Sequence, residues 1–445
     1  MTERTGGGPG LRTALSTLTG PLRFLLLSSF LIPLGSFMVL PFMSVFLHER
    51  LGMGLGAVGV VLAAASLVQF SGGILGGALA DRVGLRRTMV WALVVRTAGF
   101  AAFLAALRWP PMAVGALILT CCGAALYLPA NKAYLVHGVA EERRPAFLSA
   151  GNAALNAGMA VGPLVAGPFV LSSPGPLFLG VTALFAVVAV GHVRLPAVGA
   201  EGGRSGPVRS RSASPAPSAS ASASERAGGQ GLLAGVAVLP FVANGLAFYL
   251  YFHFQHYLAV YAVQRTSSEF YSLVLLTCFV LVIVVQPLAS GAIRRMRYPV
   301  ALAIGFAGLA AGMAVLAYGT KTALLTGGVL ITLGDIVLFL KNDLEALRRS
   351  SRSDAVVFGQ QRLAAGLGAC ASGVLGGQLY GLGERAGHTG WFWLLAAVQC
   401  VLLPPLLLAL RRGRGTAPLA HDLVHDGHTE GTPVPDDAHG RIPGR

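Results

Sequence analysis

Twelve long runs of apolar residues, each about the length of a membrane-crossing helix, constrain the fold of this chain more than any other feature. The runs occupy residues 22–47, 55–80, 88–107, 112–136, 146–171, 174–194, 232–261, 267–291, 299–318, 322–343, 355–382 and 390–410. Only 11% of the 445 residues are charged, against about 25% in ordinary soluble domains. This pattern excludes a cytosolic enzyme, a secreted domain and a disordered protein, and it predicts an all-α polytopic membrane protein.

The basic residues are distributed in a way that indicates orientation in a membrane rather than nucleic-acid binding. The formal net charge is +15, but the lysines and arginines lie in short clusters between the apolar runs. With the N-terminus inside, 24 of them fall in cytoplasmic segments, five in outside loops and four within or at the ends of spans. Because cytoplasmic loops carry the excess of Lys and Arg, we expect a multi-pass plasma-membrane protein with both termini in the cytoplasm.

The spans form two sets of six, separated by a stretch rich in Ser, Ala, Pro and Gly that cannot bury a core. Residues 123–131 resemble residues 334–342 at an offset of 211, which suggests two homologous halves, with a chance match as the alternative. The predicted organisation is a cytoplasmic N-terminal segment, a first six-helix bundle, a flexible cytoplasmic linker, a second six-helix bundle and a disordered cytoplasmic tail, at residues 1–21, 22–194, 195–231, 232–410 and 411–445.

The junction of spans 2 and 3 carries the most specific motif in the chain. Its members are Gly77, Asp81, Arg82, Gly84, Arg86 and Arg87. A glycine one helical turn before an acid permits close approach of another helix, and a second glycine permits the positive φ of a tight reversal. The acid is suited to the positive end of a neighbouring helix. A basic turn that only fixes topology is the alternative interpretation.

This motif resembles the signature loop between helices 2 and 3 of the major facilitator superfamily, with Leu85 as a mild departure. The resemblance implies twelve helices in two pseudo-symmetric bundles and a central cavity lined by helices 1, 4, 7 and 10. It also implies that Asp81 docks against the other half and stabilises one access state. The matching loop of the second half, 290–297, keeps a glycine and the bases but lacks the acid, so we expect an asymmetric latch.

Span 5 carries a second motif, whose glycines leave one helix face without side chains and whose proline bends the helix. Its residues are Gly158, Gly162, Pro163 and Gly167. Generic close packing is one interpretation; the motif also resembles the antiporter motif of drug-exporting branches, which is implied to keep the interface between the halves dry. Leu40 to Phe42, late in span 1, is similar to a Leu-Pro-Phe stretch of the multidrug branch. Two features depart from the drug exporters: span 1 contains no acid, and span 4 lacks the deep arginine that many exporters use for coupling.

Ionisable side chains within spans are costly unless they are paired or line a cavity, so they are candidates for proton coupling. Asp335 is the best candidate, because it lies roughly 20 Å along span 10 among apolar neighbours. An ion pair of Asp335 with Arg96 or Arg362 is the alternative. Four more ionisable residues lie near inner helix ends, where snorkelling or interfacial pairing is expected: Lys132, Lys341, Asp343 and Glu345.

Other polar residues of the spans are candidates for lining the cavity. Span 7 combines aromatic rings, which suit flat or cationic ligands, with Asn244, Tyr251 and His253. Because this part of span 7 approaches the outer end, an interfacial belt of aromatic and histidine side chains is the alternative. Asn131 and Asn342, which end the two matching segments, complete the candidates.

The chain lacks the signatures of ATP-driven and catalytic proteins. It contains no Gly-rich loop ending in Gly-Lys-Ser/Thr, no His-Glu-x-x-His helix and no Gly-x-Ser-x-Gly elbow. We therefore predict a secondary transporter, not an enzyme, that contacts a small-molecule substrate and membrane lipid but not nucleic acid, and the resemblance implies a monomer. It is expected to export amphipathic drugs or secondary metabolites by alternating access, driven by the proton gradient without cofactor or metal. Proton-coupled uptake of a small metabolite is the alternative.

Overall fold

The computed structural model describes residues 20–136, 144–196, 235–350 and 354–414, and within these ranges every regular element is helical. The twelve long helices are α1 Gly20–Phe37, α2 Leu55–Val83, α3 Leu85–Ala106, α4 Met112–Val136, α5 Arg144–Ala166, α6 Pro174–Val193, α7 Val238–Arg265, α8 Ser268–Arg295, α9 Tyr298–Leu316, α10 Lys321–Arg349, α11 Asp354–Arg385 and α12 Gly390–Arg414. Each predicted span overlaps one of them. The predicted N-terminal segment before Gly20, most of the linker and the tail beyond Arg414 lie outside the described residues.

Seven stretches are long and apolar enough to cross a membrane, by length and composition. They are Gly20–Arg50, Leu85–Ala106, Met112–Leu135, Pro174–Val193, Ser268–Arg295, Tyr298–Leu316 and Lys321–Arg349. Parts of α2 and α12, Leu55–Phe70 and Gly390–Pro405, are shorter apolar helices. The other three helices, α5, α7 and α11, carry polar residues such as Asn152, His256 and Gln361, which lower their mean hydropathy.

The chain after α1 remains helical but changes its hydrogen-bond pattern. A 3-10 turn spans Leu40–Phe42, a single α-helical turn spans Met43–Val45, and a π-helical stretch spans Phe46–Arg50. Pro41 fits the start of the 3-10 turn because the missing N–H has no helical partner there. Every side chain at 42–47 is buried, so neighbouring helices hold this irregular part of the chain in place.

The described residues up to Pro404 form one compact unit. Two groups of helices can be followed in it by their contacts. In the first group, α1–α6, α3 packs on α4 and α6, α2 packs on α4, and α1 packs on α5. In the second group, α7–α12, α9 and α8 pack on α10, and α7 packs on α11. The pairs α2–α11 and α5–α8 join the groups. Residues 405–414 belong to a second unit and are helical.

Each group contains its own cluster of aromatic rings. The first cluster consists of Phe46, Phe100, Phe103, Phe178 and Phe185. The second consists of Tyr257, Tyr380, Phe392 and Trp393. The centroids of the nearest rings are 4.7–5.3 Å apart in the first cluster and 5.0–5.6 Å apart in the second. Stacked and edge-on contacts at such distances stabilise packing beyond the burial of apolar area.

The helix termini define two ends of the bundle. At one end α2, α8 and α10 finish near Arg82, Arg295 and Arg349, and we call it the basic end. At the other end α2 begins at Leu55 and α11 finishes at Arg385, and we call it the far end.

Candidate functional site

At the far end, α2 and α11 touch through their backbones. A Cβ atom added at Gly59 would lie 2.2 Å from the carbonyl oxygen of Gly373 and 2.9 Å from the Cα atom of Gly377. The hydroxyl of Tyr257 on α7 donates to the same Gly373 carbonyl at 2.7 Å. No side chain fits between these two helices at Gly59, so the sequence places glycine there.

Five hydrogen bonds also join the two groups from the far end to about the middle of α2. They connect Ser272 to the Pro163 carbonyl (2.7 Å), Tyr271 to the Pro41 carbonyl (3.2 Å), Gln264 to Glu49 (3.0 Å), His48 to Glu384 (3.1 Å) and Ser66 to His256 (3.2 Å). Together with the backbone contact of α2 with α11, we call them the far-end seam. The seam holds the two groups together at this end.

The glycine motif of α5 faces two different helices. Cβ atoms added at Gly158 and Gly162 would lie 2.3 Å and 2.6 Å from backbone carbonyl oxygens of α1, so these glycines pack inside the first group. A Cβ atom added at Gly167 would lie 2.5 Å from the Ser272 hydroxyl on α8, and that hydroxyl donates to the Pro163 carbonyl. Close helix packing therefore describes the first two glycines, and only Pro163 and Gly167 lie at the contact between the groups.

Toward the basic end, the two groups line a cavity of about 570 Å³, a size typical of small-molecule sites. Phenylalanines, charged side chains and amides make up nearly all of its lining: Phe70, Phe248, Phe339, Phe358, Lys132, Arg362, Asp343, Asn244 and Gln361. Phe70 and Lys132 come from α2 and α4, and the others come from α7, α10 and α11. Both groups of helices therefore contribute to this site, which we call the basic-end cavity.

Three charged side chains meet in the basic-end cavity. The guanidinium of Arg362 lies 5.9 Å from the ring centroid of Phe70. Arg362 also interacts electrostatically with Lys132, which repels it, and with Asp343, which attracts it. Within the described ranges neither cation has a direct hydrogen bond or ion pair, and both are exposed to the cavity. Their N–H groups are available to a ligand.

The predicted cavity residues do not all meet in one place. Asn244 and Arg362 line the basic-end cavity. Asn131 lines a separate space of about 310 Å³ between α1, α4 and α5. Asn342 is fully buried between α9 and α10, where the Tyr298 hydroxyl donates to its Oδ1 atom at 2.7 Å. Asn342 therefore stabilises a helix contact and does not reach the cavity.

The polar residues in the middle of α7 are buried in helix contacts. Nδ1 of His253 lies 2.7 Å from the Tyr249 carbonyl oxygen, and the Tyr251 hydroxyl accepts from Gln255 at 2.8 Å. The interfacial belt considered for the histidines does not apply, because His253 and His256 are only 0% and 6% exposed. Neither His253 nor Tyr251 lines the basic-end cavity.

Asp335 is buried inside the second group, with 6% of its surface exposed. Its Oδ1 atom has no hydrogen-bond partner, and among the described residues Asp335 forms no ion pair with Arg96 or Arg362. The Tyr251 hydroxyl and the Cys278 thiol are close enough to feel its charge. An unpaired carboxylate at such a site is costly, so the surroundings of Asp335 favour its neutral form.

Arg96 is buried inside the first group, away from the basic-end cavity. Its Nη2 atom donates to the Ser36 hydroxyl, and its guanidinium lies 4.9 Å from the ring centroid of Phe185. Gly123 makes room for this side chain, since a Cβ atom there would lie 2.2 Å from Arg96 Cγ and 2.5 Å from the Ala92 carbonyl oxygen. A cation–π contact and a hydrogen bond stabilise the charge at this position.

Replacing Gly123 by alanine is expected to destabilise the protein, because the new methyl group overlaps Arg96 and the backbone of α3. Overpacking of this kind costs about 1–3 kcal/mol. Gly115→Ala on the same helix is the matched control, since no atom lies within 4 Å of an added Cβ there. Thermal unfolding in detergent should show a lower melting temperature for Gly123→Ala alone; equal values for the two variants would contradict the packing role.

The loop motif between α2 and α3 lies only partly within the described residues. Gly84 has a φ of +89°, which confirms the predicted positive φ at the reversal. Arg86 donates to the Leu195 carbonyl after α6 at 3.1 Å, so the loop is tied to its own group. The Asp81 side chain and the surroundings of Gly77 lie outside the described part of the structure, and the docking of Asp81 stays a prediction.

Two charged residues of the cavity differ from the sequence prediction. Lys132 and Asp343 were expected to snorkel or pair at inner helix ends, but both line the basic-end cavity. Lys341 and Glu345 do pair at helix ends: Lys341 donates to two carbonyls at the end of α8, at 3.0 and 2.6 Å, and Glu345 accepts from the two arginines that end α10.

Helical spacing contains a signal for some of the cavity residues. Phe339 and Asp343 are four residues apart on α10, and Phe358 and Arg362 are four residues apart on α11. Residues at this spacing lie on the same helix face. Each of these two helices therefore presents a phenylalanine and a charged residue on one face, a pattern that indicates an amphipathic lining. All four residues do line the cavity.

Comparison with known sequences gives a family match and several partial relatives. A family model described as Major Facilitator Superfamily matches residues 25–340. Multidrug resistance protein MdtH of Cronobacter sakazakii is 35% identical over 168 residues, which is 38% of this chain and 41% of that protein. An uncharacterized MFS-type transporter of Mycobacterium tuberculosis H37Rv is 31% identical over 156 residues, 35% of this chain and 37% of that protein. The match therefore spans about two fifths of the length of these curated relatives.

Solved structures share the fold at low sequence identity. The nucleoside transporter NupG has a TM-score of 0.68 at 13% identity and covers 88% of this chain and 100% of its own. A POT family transporter in complex with 5-aminolevulinic acid has a TM-score of 0.69 at 12% identity, with coverage of 88% and 96%. At these identities the likeness shows the arrangement of helices alone.

Proposed function

This chain belongs to the major facilitator superfamily, and from that premise we propose that it exports amphipathic, drug-like compounds in exchange for protons by alternating access. The family and the relatives above are transporters rather than enzymes. With its several apolar helices, the chain is a multi-pass protein of the plasma membrane. The export of drugs is proposed by similarity to the multidrug resistance proteins, which the chain matches only in part.

The observation that best supports this proposal is the combination of a closed far end and a cavity toward the basic end. The far-end seam joins the two groups through backbone contacts and five hydrogen bonds. The basic-end cavity receives side chains from both groups. In alternating access, two repeats rock about a central site that lies at their interface, and this arrangement corresponds to one state of such a cycle.

We propose that the two moving bodies are residues 22–194 and 232–410, connected by the linker at 195–231. The excess of Lys and Arg at the basic end supports placing that end in the cytoplasm. In this orientation both termini are cytoplasmic and the cavity faces the cytoplasm, as needed to receive a compound for export. We assign to Asp81 the role of stabilising one access state.

We assign proton coupling to Asp335. Its burial without a partner favours the neutral carboxyl, so loading and release of a proton change its charge. Tyr251 lies within the electrostatic reach of Asp335 and accepts a hydrogen bond from Gln255. Gln255 in turn lines a smaller space of about 150 Å³ between the groups. These side chains connect the buried carboxyl to the interface that changes during transport.

The proton gradient is then the energy source, and we propose that the monomer works without a bound cofactor. In the described part of the chain, no group of three or more His, Cys, Asp or Glu is placed to bind a metal ion. Proton-coupled uptake remains the alternative direction, because the same fold performs either one. The direction is decided by whether the substrate moves with the proton or against it.

Accumulation measurements in cells test the proposed function. Cells that produce the protein are expected to hold less of a toxic fluorescent compound than cells without it, and an uncoupler should remove the difference. Purified protein in liposomes should move protons when the compound is added. Higher internal levels would instead show uptake, and a difference that persists without a proton gradient would contradict proton coupling.

A further inference from the structure

We propose that the basic-end cavity selects flat aromatic compounds that carry one negative charge, such as an aromatic carboxylate or sulfonate. The inference rests on the proposed function, because it names the class of compound for the same site. It adds a charge to the amphipathic class of compound named above. The reasons lie in the rings, the charges and the distribution of the cations between the two groups of helices.

The rings of the cavity suit a flat aromatic compound. Phe248 stacks on Phe339 with centroids 4.4 Å apart and planes at 29°, and Phe70 meets Phe248 edge-on at 5.6 Å. Phe358 adds a fourth ring, which is 44% exposed. Stacked and edge-on partners at these distances are the arrangements that aromatic rings prefer. The aromatic ring of a ligand can therefore pack against the faces and edges of these phenylalanine rings along one side of the cavity.

The charges of the cavity suit a single anion. Among the described residues of the lining, Lys132 and Arg362 are cationic and Asp343 is the one acid. Two cations against one acid leave an excess of one positive charge, which a monoanion neutralises. Arg362 presents a planar fork of N–H donors that matches a carboxylate or sulfonate, and within the described ranges the protein itself provides no hydrogen-bond acceptor to it. A lipophilic cation would add to this excess of positive charge, and the acid that the described lining offers it, Asp343, already lies in the field of Arg362.

The two cations belong to opposite groups of helices, Lys132 to α4 and Arg362 to α11. They repel each other in the present structure, so movement of the groups toward each other at the basic end brings like charges together. An anion bound between Lys132 and Arg362 attracts both side chains and offsets their mutual repulsion. Binding of the compound and closure of the basic end are thereby linked through the same pair of side chains.

Direct binding to the purified full-length protein tests the proposal with three probes that share one ring system. They are naphthoate, naphthylmethanol and naphthylmethylammonium, whose one-carbon substituent is an anion, a neutral alcohol and a cation. Naphthoate is expected to bind about tenfold more tightly than the cation, the effect of one hydrogen bond to a charged group. Equal affinity for all three probes, or tighter binding of the cation, would overturn the proposal.

Variants identify the side chains responsible. Arg362→Gln and Lys132→Gln are each expected to weaken naphthoate binding about tenfold and leave naphthylmethanol unchanged, whereas Asp343→Asn should strengthen naphthoate binding. Lys321→Gln, at the far end, is the matched control and should behave like wild type. Unchanged naphthoate binding in both cavity variants would overturn the assignment, and retained naphthylmethanol binding shows that a variant is folded.

The binding result is separate from the test of transport. Charge-selective binding of naphthoate without any flux in vesicles would support the site and contradict the proposed export. Proton-driven flux of another compound by a protein that does not discriminate between the three probes would support transport and contradict the selection of anions.

Discussion

Replacing Gly59 by alanine is expected to remove most transport activity, by driving α2 away from α11 at the far-end seam. The new methyl group would lie 2.2 Å from the Gly373 carbonyl oxygen and 2.9 Å from the Tyr257 hydroxyl, and a backbone carbonyl cannot rotate away as a side chain does. Overpacking of this kind costs about 1–3 kcal/mol. Because it destabilises only the state in which the far end is closed, it shifts the equilibrium between the two access states by roughly five- to 150-fold.

The control for this prediction is Gly56→Ala, one turn earlier on α2. There the added Cβ atom meets only the end of the Gln378 side chain, at 2.9 Å, which is free to move aside. Spin labels on Arg50→Cys and Arg385→Cys, exposed positions of the two groups at the far end, should report a longer distance in the Gly59 variant and an unchanged one in the Gly56 variant. An unchanged distance in both, with normal flux, would show that this contact does not hold the far end closed.

Replacing Asp335 by asparagine is expected to abolish proton-driven transport and to leave exchange of substrate across the membrane intact. Asparagine has the shape of the neutral carboxyl but neither gains nor loses a proton. Because the surroundings of Asp335 favour the neutral carboxyl, asparagine replaces a group of similar shape and charge and the variant should fold. Uphill accumulation against a concentration gradient should fall to background, while counterflow of labelled substrate at equal pH continues.

Glu345→Gln provides the control on the same helix. Glu345 accepts from Arg348 at 2.7 Å and from Arg349 at 2.6 Å at the end of α10, and it does not line the basic-end cavity. This variant should keep both uphill transport and counterflow. If Asp335→Asn retained uphill transport, another group would have to carry the proton, and loss of counterflow as well would indicate a structural role.

Helix positions were predictable from the sequence because a span must be long and apolar to lie in lipid. Span 4, expected at residues 112–136, corresponds to α4, Met112–Val136, at both ends. The end of span 1 was not predictable in the same way. Apolar composition does not distinguish α-helical from 3-10 or π-helical geometry. The run at 22–47 therefore did not predict that the α-helix ends at Phe37, and Pro41 is the one sequence signal of that end.

The residues of the cavity were harder to predict, because position along one helix does not tell which neighbour the side chain faces. Arg96 and Arg362 both lie a few turns from the basic end and look equivalent in the sequence. In the structure Arg96 lies against Phe185 within its own group, whereas Arg362 lies over Phe70 of the other group. The difference depends on tertiary packing, including the space left by Gly123.

The internal sequence match between the two halves does not predict which residues lie at the interface between them. The offset of 211 residues pairs Gly162 with Gly373. A Cβ atom at Gly162 would meet α1 of its own group, but one at Gly373 would lie 2.7 Å from the Gly59 carbonyl oxygen in the other group. Corresponding glycines therefore serve different contacts, which a comparison of the two halves of the sequence does not reveal.

The two aromatic clusters determine where the molecule is stiff. Rings packed at 4.7–5.6 Å inside each group would have to separate before any helix within that group could slide, and close-packed interiors transmit strain instead of absorbing it. The far-end seam consists of glycine backbones and a few hydrogen bonds, and glycines have no rotamers to rearrange. We therefore expect deformation during transport to be concentrated in this seam, while each six-helix group keeps a nearly constant shape.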